Sequence, residues 1–594
     1  MKKNRKELFM NRLINFITDS QTKIFHDSPI MENLTGATVL ANEPYSFTYA
    51  YKLDEGDFLP ISVSATCEGL SLSVYKVIPV ALTHSEYKHK VTWLTPLDKK
   101  SLETFETATE ERGIGLYPEV MLPRSASPKI LSTTDPRLPF FEEQEQNRLE
   151  AHDEGFASLI ITANEERATL PAGEYDIKIT ATSLGNGEIL AENHFTLKVI
   201  SAELPKISFK YTNWFHYDCV ADIHGVELYS EKYFEILKSY FKNAADYGMN
   251  MLLIPAITPP LDTPIGMYRK NVQLTDITLS DGKYSFDFTR LERLIRLATE
   301  CGIEYFEHPH LFTQWGAKHA PAIYATVDGE QRRIFGWDTD AIADGYRGFL
   351  ESYIPAFRAF AEKIGISDKT FYHISDEPTH REIESYSKAV EIVKPLLTGA
   401  ECGDALSHIE FYEQGLVGVP IVCIDNAPDF FGKCENFWTY YTGGYYKDHS
   451  SEYCSNRIIT SKPYKTRILG LHSFAYKAGG FLHWGLNFYY GRMSNGLYNP
   501  LIEPCGYVQR QGASYLVYPG LNCALPCLRE LYMREAMCDL RALKLLESLT
   551  NYDYVMEVAR KYFGEDITCF TMANSAESMR GFRELINREI ERRI

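Results

Sequence analysis

Two adjacent carboxylates close the run His373-Ile374-Ser375-Asp376-Glu377-Pro378, directly after a short apolar stretch with strand propensity, Phe371 to Ile374. Adjacent residues on a regular strand point to opposite faces, but where a strand gives way to a loop the backbone turns and both acids can converge on one pocket. A pair held that way suits general acid–base work, with one group ionised and its neighbour kept protonated by the adjacent negative charge. Asp-Glu also occurs at Asp54-Glu55 and Asp153-Glu154, each followed by glycine, and those two pairs read as solvated turns. The third pair precedes a helical pattern, so its competing reading is a plain helix start, where acids favour the first turn.

The elements around the pair decide between these readings. Beyond residue 205 the chain repeats strand, then helix. The expected strands are Ser208 to Phe215, Asn250 to Pro255, Glu304 to His310, Phe371 to Ser375, Gly399 to Asp404, Ile421 to Asp425, Asn436 to Thr442 and Phe481 to Asn487. Helical stripes lie between them, as in Tyr233, Phe234, Leu237, Tyr240, Phe241 and Ala244, or Leu291, Leu294, Ile295, Ala298 and Cys301. Further helices are expected over Asp344 to Ile364, Arg381 to Leu396 and about Arg457 to Lys477. Eight strands interleaved with helices imply a (β/α)8 TIM barrel, whose active sites sit at the C-terminal ends of the strands. Asp376 and Glu377 then lie at that mouth. Trp214, His216, His308, His310, Asp425, Trp438, Tyr440, Tyr441, Trp484 and Asn487 fall at other strand ends. Alternation turns only one of Tyr440 and Tyr441 inward.

Residues 1–204 read differently: short strands between turn residues, such as Ser46 to Tyr51, Leu70 to Val77 and Glu174 to Ile179, with no long helical period. This is the pattern of an all-β sandwich, and Leu204-Pro205 supplies a hinge into the barrel region, 205–550. The remainder, 551–594, reads as a helical C-terminal extension. A chain of 594 residues, 45% hydrophobic and 24% charged, is ample for such a multidomain arrangement. Its net charge of −18 argues against nucleic acid or an anionic membrane as partner and makes a neutral substrate the easier one. Met1 to Lys6 is basic, but no continuous apolar run follows, and the longest apolar runs are about half of a membrane span. Together with 12 scattered cysteines lacking paired CxxC spacing, this leads to the expectation of a cytoplasmic protein without membrane insertion. His308-Pro309-His310 has no companion ligand at metal spacing, and Cys523 and Cys527 have no second pair, so neither a metal nor a cofactor is expected.

With these residues in view, the second region resembles glycoside hydrolase family 123, the β-N-acetylgalactosaminidases, and related domains of unknown function. The pieces that carry the resemblance are Asn213-Trp214-Phe215-His216-Tyr217-Asp218-Cys219, the His-x-Ser-Asp-Glu-Pro run, Gly480-Phe481-Leu482-His483-Trp484-Gly485-Leu486-Asn487, and Leu516-Val517-Tyr518-Pro519-Gly520 before the helix holding Arg529 and Arg534. The resemblance implies a retaining exo-hydrolase of terminal β-GalNAc on glycans such as glycosphingolipids, in which the sugar's own 2-acetamido oxygen attacks the anomeric carbon. It gives Asp376, ionised, the task of orienting the acetamido N–H, and Glu377, protonated, that of general acid and later base. Trp214, His216, His310, Trp438, Tyr440, Trp484 and Asn487 are the expected substrate-binding residues, with Trp484 as an apolar floor and Tyr440 as a donor to the acetamido oxygen. Two alternatives stay open at this point: the same chemistry on β-GlcNAc, and a non-catalytic carbohydrate-binding protein. Oligomeric state is open as well.

Overall fold

Eight short strands alternate with helices after residue 209 and close on themselves in a parallel barrel: β1 (Lys210–Asn213), β2 (Met251–Leu253), β3 (Tyr305–His308), β4 (Thr370–Tyr372), β5 (Glu401–Leu406), β6 (Val419–Cys423), β7 (Trp438–Tyr440) and β8 (Gly480–His483). Closure runs through β8 and β1, with Lys210 opposite Gly480 and Asn213 opposite His483. The computed structural model describes residues 13–82, 115–123, 149–442, 454–502 and 511–594; the basic run Met1 to Lys6 lies outside them.

Inward-facing side chains fill the barrel. Met251, Leu253, Phe371, Ile421, Trp438 and Leu482 form one apolar cluster, with Trp214 and Tyr440 at its upper edge. Trp438 packs on Phe371 with ring centroids 4.6 Å apart. Gly480 makes this possible: a Cβ there would sit 2.7 Å from the Trp438 ring. The outer helices include Glu231–Asp246, Thr289–Glu300, Asp344–Lys363 and Ile383–Val393, whose buried stripes form the large cluster between barrel and helices.

Two features depart from expectation. The helix expected over Arg457 to Lys477 is two short ones, Pro463–Arg467 and Leu469–Ala475. Pro463 sits at the first turn of the former, where its missing N–H is harmless. The long connections after β2 and β3 each carry a hairpin, Asp276–Ser280 with Lys283–Asp287 and Ile323–Val327 with Glu330–Phe335, and the two join as one four-stranded sheet.

The N-terminal region is sheet-rich. One five-stranded sheet orders Leu13–Asp19, Tyr45–Leu53, Ala157–Ala163, Leu72–Leu82 and Gly115–Pro123; the other orders Gly36–Leu40, Ile189–Ile200, Gly173–Ser183, Phe58–Thr66 and Leu149–His152. Both sheets contribute to one apolar cluster, in which Phe47 stacks on Phe195 at 4.3 Å. After the barrel come three helices, Leu528–Leu549, Tyr552–Phe563 and Ala576–Glu591. The first of them is tied to the sheet region by a buried ion pair, Arg529 Nε to Glu119 Oε1 at 2.6 Å, and by Arg534 donating to Ser46 Oγ at 3.0 Å. Arg583 on the last helix bonds Glu43 at 2.7 Å. No helix among the described residues is long and apolar enough to cross a membrane.

Candidate active site

Regular strand pairing in β4 ends at Tyr372, yet the chain stays straight as far as the acids because two neighbouring segments hold it. On one side the loop after β3 runs alongside: Leu311, Phe312 and Trp315 donate their N–H groups to the carbonyls of His373, Ile374 and Asp376 at 3.1, 2.9 and 2.8 Å. On the other side the Asp404 carboxylate, from β5, accepts the N–H groups of Ile374 and Ser375 at 2.9 and 3.0 Å. The Glu377 N–H then donates to the Ala405 carbonyl at 3.0 Å. Six backbone groups between His373 and Glu377 are thereby given fixed partners.

At Glu377 the backbone turns left-handed, with φ of 45°. A non-glycine residue there stores about 1–3 kcal/mol of strain, maintained by the surrounding bonds. The turn breaks strand alternation, so that Asp376, half-buried, and Glu377, exposed, act on each other electrostatically. Tyr440 at the end of β7 donates its hydroxyl to Glu377 Oε1 at 2.8 Å. Burial, then the charges of Glu377, Cys423 and Asp376, push the Tyr440 phenol well up, so it remains a donor. Tyr441 points the other way, its hydroxyl 3.5 Å from the Met533 sulfur.

Beneath the acids lies a buried charge relay. His373 donates Nε2–H to Glu307 Oε2 at 2.8 Å, and its Nδ1 faces Asp404 Oδ1 at 3.7 Å, an ion-pair distance. Glu307, fully buried, also accepts from Trp214 Nε1 at 3.0 Å and from the Thr212 hydroxyl. Asp404 accepts from Tyr386 Oη at 2.6 Å. Burial opposes charge on His373, but the Asp404 and Glu307 carboxylates outweigh it and raise the imidazole to about 9. Asp376 is itself pushed well above the usual carboxylate range by burial, then by Glu377 and Asp404, with His373 in opposition. The ionised Asp376 that the resemblance implies is thus opposed by burial and by two neighbouring carboxyl groups, and favoured by His373.

The other expected residues take different places. Trp484, just past β8, is half-buried and packs against the barrel-interior cluster. Trp438, Asn487 and His310 have no exposed surface. Trp438 lies deep in the barrel, level with Gly480. Asn487 braces the ends of β1 and β8, accepting from His216 N at 2.9 Å and donating to His216 O at 3.2 Å. His310 stacks under His373 at 4.6 Å. These three are buried supports and not the pocket lining that their strand-end positions suggest. Trp214 and His216 retain little surface, 3% and 4%, and their ring nitrogens are engaged by Glu307, by the Trp484 carbonyl at 2.9 Å and by Arg269 at 3.1 Å. Arg269 is in turn paired with the buried Asp218. The pairs Asp54-Glu55 and Asp153-Glu154 lie in bends between strands.

Glu307, Asp404 and Arg269 escaped the sequence reading. Glu307 carried a signal, an acid inside an otherwise apolar strand. For metal coordination, one atom each of His310, His373 and Asp404 lie within 4.8 Å of one another, but His373 and Asp404 are already committed to Glu307, Tyr386 and two backbone amides.

Paired carboxyl groups at the C-terminal mouth of an eight-stranded parallel barrel, one of them hydrogen-bonded by a buried tyrosine, make the layout of a barrel hydrolase working by general acid–base catalysis. The profile of the glycoside hydrolase 123 catalytic domain matches residues 214–546. The chain belongs to this family and is a glycoside hydrolase. In fold it is similar to a family 123 glycoside hydrolase from Clostridium perfringens, studied for the details of glycolipid glycan hydrolysis, with a TM-score of 0.69, 12% identity, and 98% of this chain and 97% of that one covered. Looser superpositions include a family 39 glycoside hydrolase from Bacteroides cellulosilyticus (TM-score 0.32, 8% identity, 86% and 82% covered) and a Bacteroides uniformis β-glucuronidase (0.27, 10%, 85% and 48%). A search of curated protein sequences finds no match.

Proposed function

We propose that this chain is a retaining exo-β-N-acetylgalactosaminidase acting on the non-reducing ends of glycolipid glycans by substrate assistance. The observation that carries the reading is the Asp376–Glu377 pair at the β4 end, with Glu377 held by Tyr440. The 2-acetamido oxygen attacks the anomeric carbon and the bond to the leaving oxygen breaks, while Glu377 gives that oxygen its proton. The cyclic oxazolinium ion is then opened by water, whose proton returns to Glu377. Asp376 orients the acetamido N–H and balances the positive charge. A docking N–H favours the ionised form of Asp376, against the burial and neighbouring acids that raise it. In this reading residues 1–204 form a β-sandwich, 205–550 the catalytic barrel and 551–594 a helical extension, and the unpaired cysteines among the described residues suit a reducing, cytoplasmic setting.

Aryl glycosides of β-GalNAc, β-GlcNAc and β-Gal test it. The expected result is turnover of β-GalNAc above β-GlcNAc, none of β-Gal, and loss of most turnover in Glu377→Gln and Asp376→Asn. Comparable cleavage of β-Gal would exclude substrate assistance, since that sugar has no acetamido group. Wild-type rates in both variants would remove the acid pair from the mechanism.

A further inference from the structure

Beside the acid pair, on the outer rim of the mouth, stands a group of side chains that the glycosidase chemistry does not use. His380 opens the short 3-10 turn His380–Glu382, His408 lies just past the end of β5, and Glu410 begins the short helix Glu410–Glu413. One ligand atom from each of the three lies within 4.8 Å of the other two. The two imidazole rings are 3.8 Å apart between centroids, with planes inclined at 43°. Aromatic pairs drawn together by their own packing settle about 4.5–7 Å apart. Two rim histidines, His380 exposed and His408 half-buried, at a shorter separation and converging on a carboxylate, have the arrangement of a shared cation's ligands.

We propose that His380, His408 and Glu410 form a binding site for a divalent transition-metal ion, zinc in the first place, that clamps the acid-bearing loop to the end of β5. The donor set selects the ion: two imidazoles and one carboxylate suit zinc and its first-row neighbours, whereas calcium and magnesium take oxygen ligands. Metal bonds of about 2.0–2.2 Å to each ligand require the three donor atoms to gather a little more closely, and the exposed His380 and Glu410 side chains are free to rotate to do so. Water completes the coordination at the open rim.

Placement in the chain says what the clamp acts on. Glu377 N–H already bonds the Ala405 carbonyl, joining the acid loop to β5 by one hydrogen bond. His380 is three residues beyond Glu377, and His408 three residues beyond Ala405. The ion therefore adds a second tie between the same two segments, and holds the left-handed backbone at Glu377 from its C-terminal side. This role is independent of which sugar the enzyme cleaves.

The test is titration of chelator-stripped full-length protein with cobalt(II), followed calorimetrically and by visible absorption, then displacement with zinc(II). The expected result is one equivalent bound with d–d bands and without a thiolate charge-transfer band, together with a raised thermal midpoint in the zinc form. His380→Ala and His408→Ala should each weaken binding at least about tenfold, the lower end of what even an outer-shell partner contributes. His194→Ala serves as control, removing an exposed histidine beside Asp176 and Glu192 on the N-terminal sheet. The proposal is overturned by wild-type protein that takes up neither ion at tenfold excess, by uptake that both rim variants retain at wild-type affinity, or by a spectrum showing thiolate ligation.

Discussion

Replacing His373 with glutamine separates the charge of the buried relay from its shape. Glutamine can keep a donor toward Glu307, where His373 Nε2 now lies at 2.8 Å, but supplies no positive charge to that carboxylate or to Asp404. In the folded protein the imidazole is raised from 6.5 to about 9. At 1.36 kcal/mol for each pKa unit this corresponds to about 3 kcal/mol of stabilisation by protonation. The native state binds the proton more tightly than the unfolded chain does, so the contribution is fully present below pH 6.5 and disappears as pH rises through about 9. Urea unfolding of wild type and His373→Gln at pH 6 and pH 9.5 therefore shows a stability gap about 3 kcal/mol larger at the lower pH. Buried acids away from His373, such as Glu530, raised by burial to about 8, are common to both proteins and cancel in the difference. A gap of equal size at both pH values would mean that His373 is neutral throughout, and one that widened with pH would reverse the argument.

Tyr440→Phe removes the hydroxyl that bonds Glu377 at 2.8 Å and leaves the ring in place. A hydrogen bond to a charged group contributes about 1.5–3 kcal/mol, so kcat/KM on aryl β-GalNAc should fall roughly 10- to 100-fold with thermal stability nearly unchanged; an unaltered rate would sever Tyr440 from the acid. Glu377→Gly and Glu377→Ala should both be inactive, but glycine accepts a φ of 45° without strain and alanine does not. The glycine variant is then about 1 kcal/mol the more stable in urea unfolding, and equal stability would show that the left-handed turn carries no strain.

Much of the barrel was legible because its signals are local. The stripe Tyr233, Phe234, Leu237, Tyr240 and Phe241 lies in the helix Glu231–Asp246 and is buried throughout, and each of the eight observed strands overlaps its expected run. The four-stranded insertion was missed although it too was marked locally. Its hairpins turn at Asp281-Gly282 and Asp328-Gly329, all four residues with positive φ, the dipeptide signal of a tight type I′ turn. The acid pair could be placed at a strand end from its context. Its surroundings could not, because strand-end position does not say whether an aromatic is wholly buried in the barrel, as Trp438 is, or keeps exposed surface at its edge, as Trp484 does. The relay depends on contacts across the barrel, Glu307 to His373 and Asp404 to the amides of Ile374 and Ser375, for which no local pattern exists.

The ion pair between Arg529 and Glu119 bears on whether the barrel can live alone. Arg529 is 1% exposed, and among the described residues it donates, besides Glu119, to backbone carbonyls of Arg457, Gly512 and Tyr515. A chain cut at residue 205 would discard the Glu119 carboxylate that pairs with this buried guanidinium, a loss of about 3–5 kcal/mol before any apolar surface is counted. The sheet-rich region is thus a structural cofactor of the hydrolase, supplied in the same polypeptide, and a shortened enzyme should be sought by trimming loops, not by removing the first 204 residues.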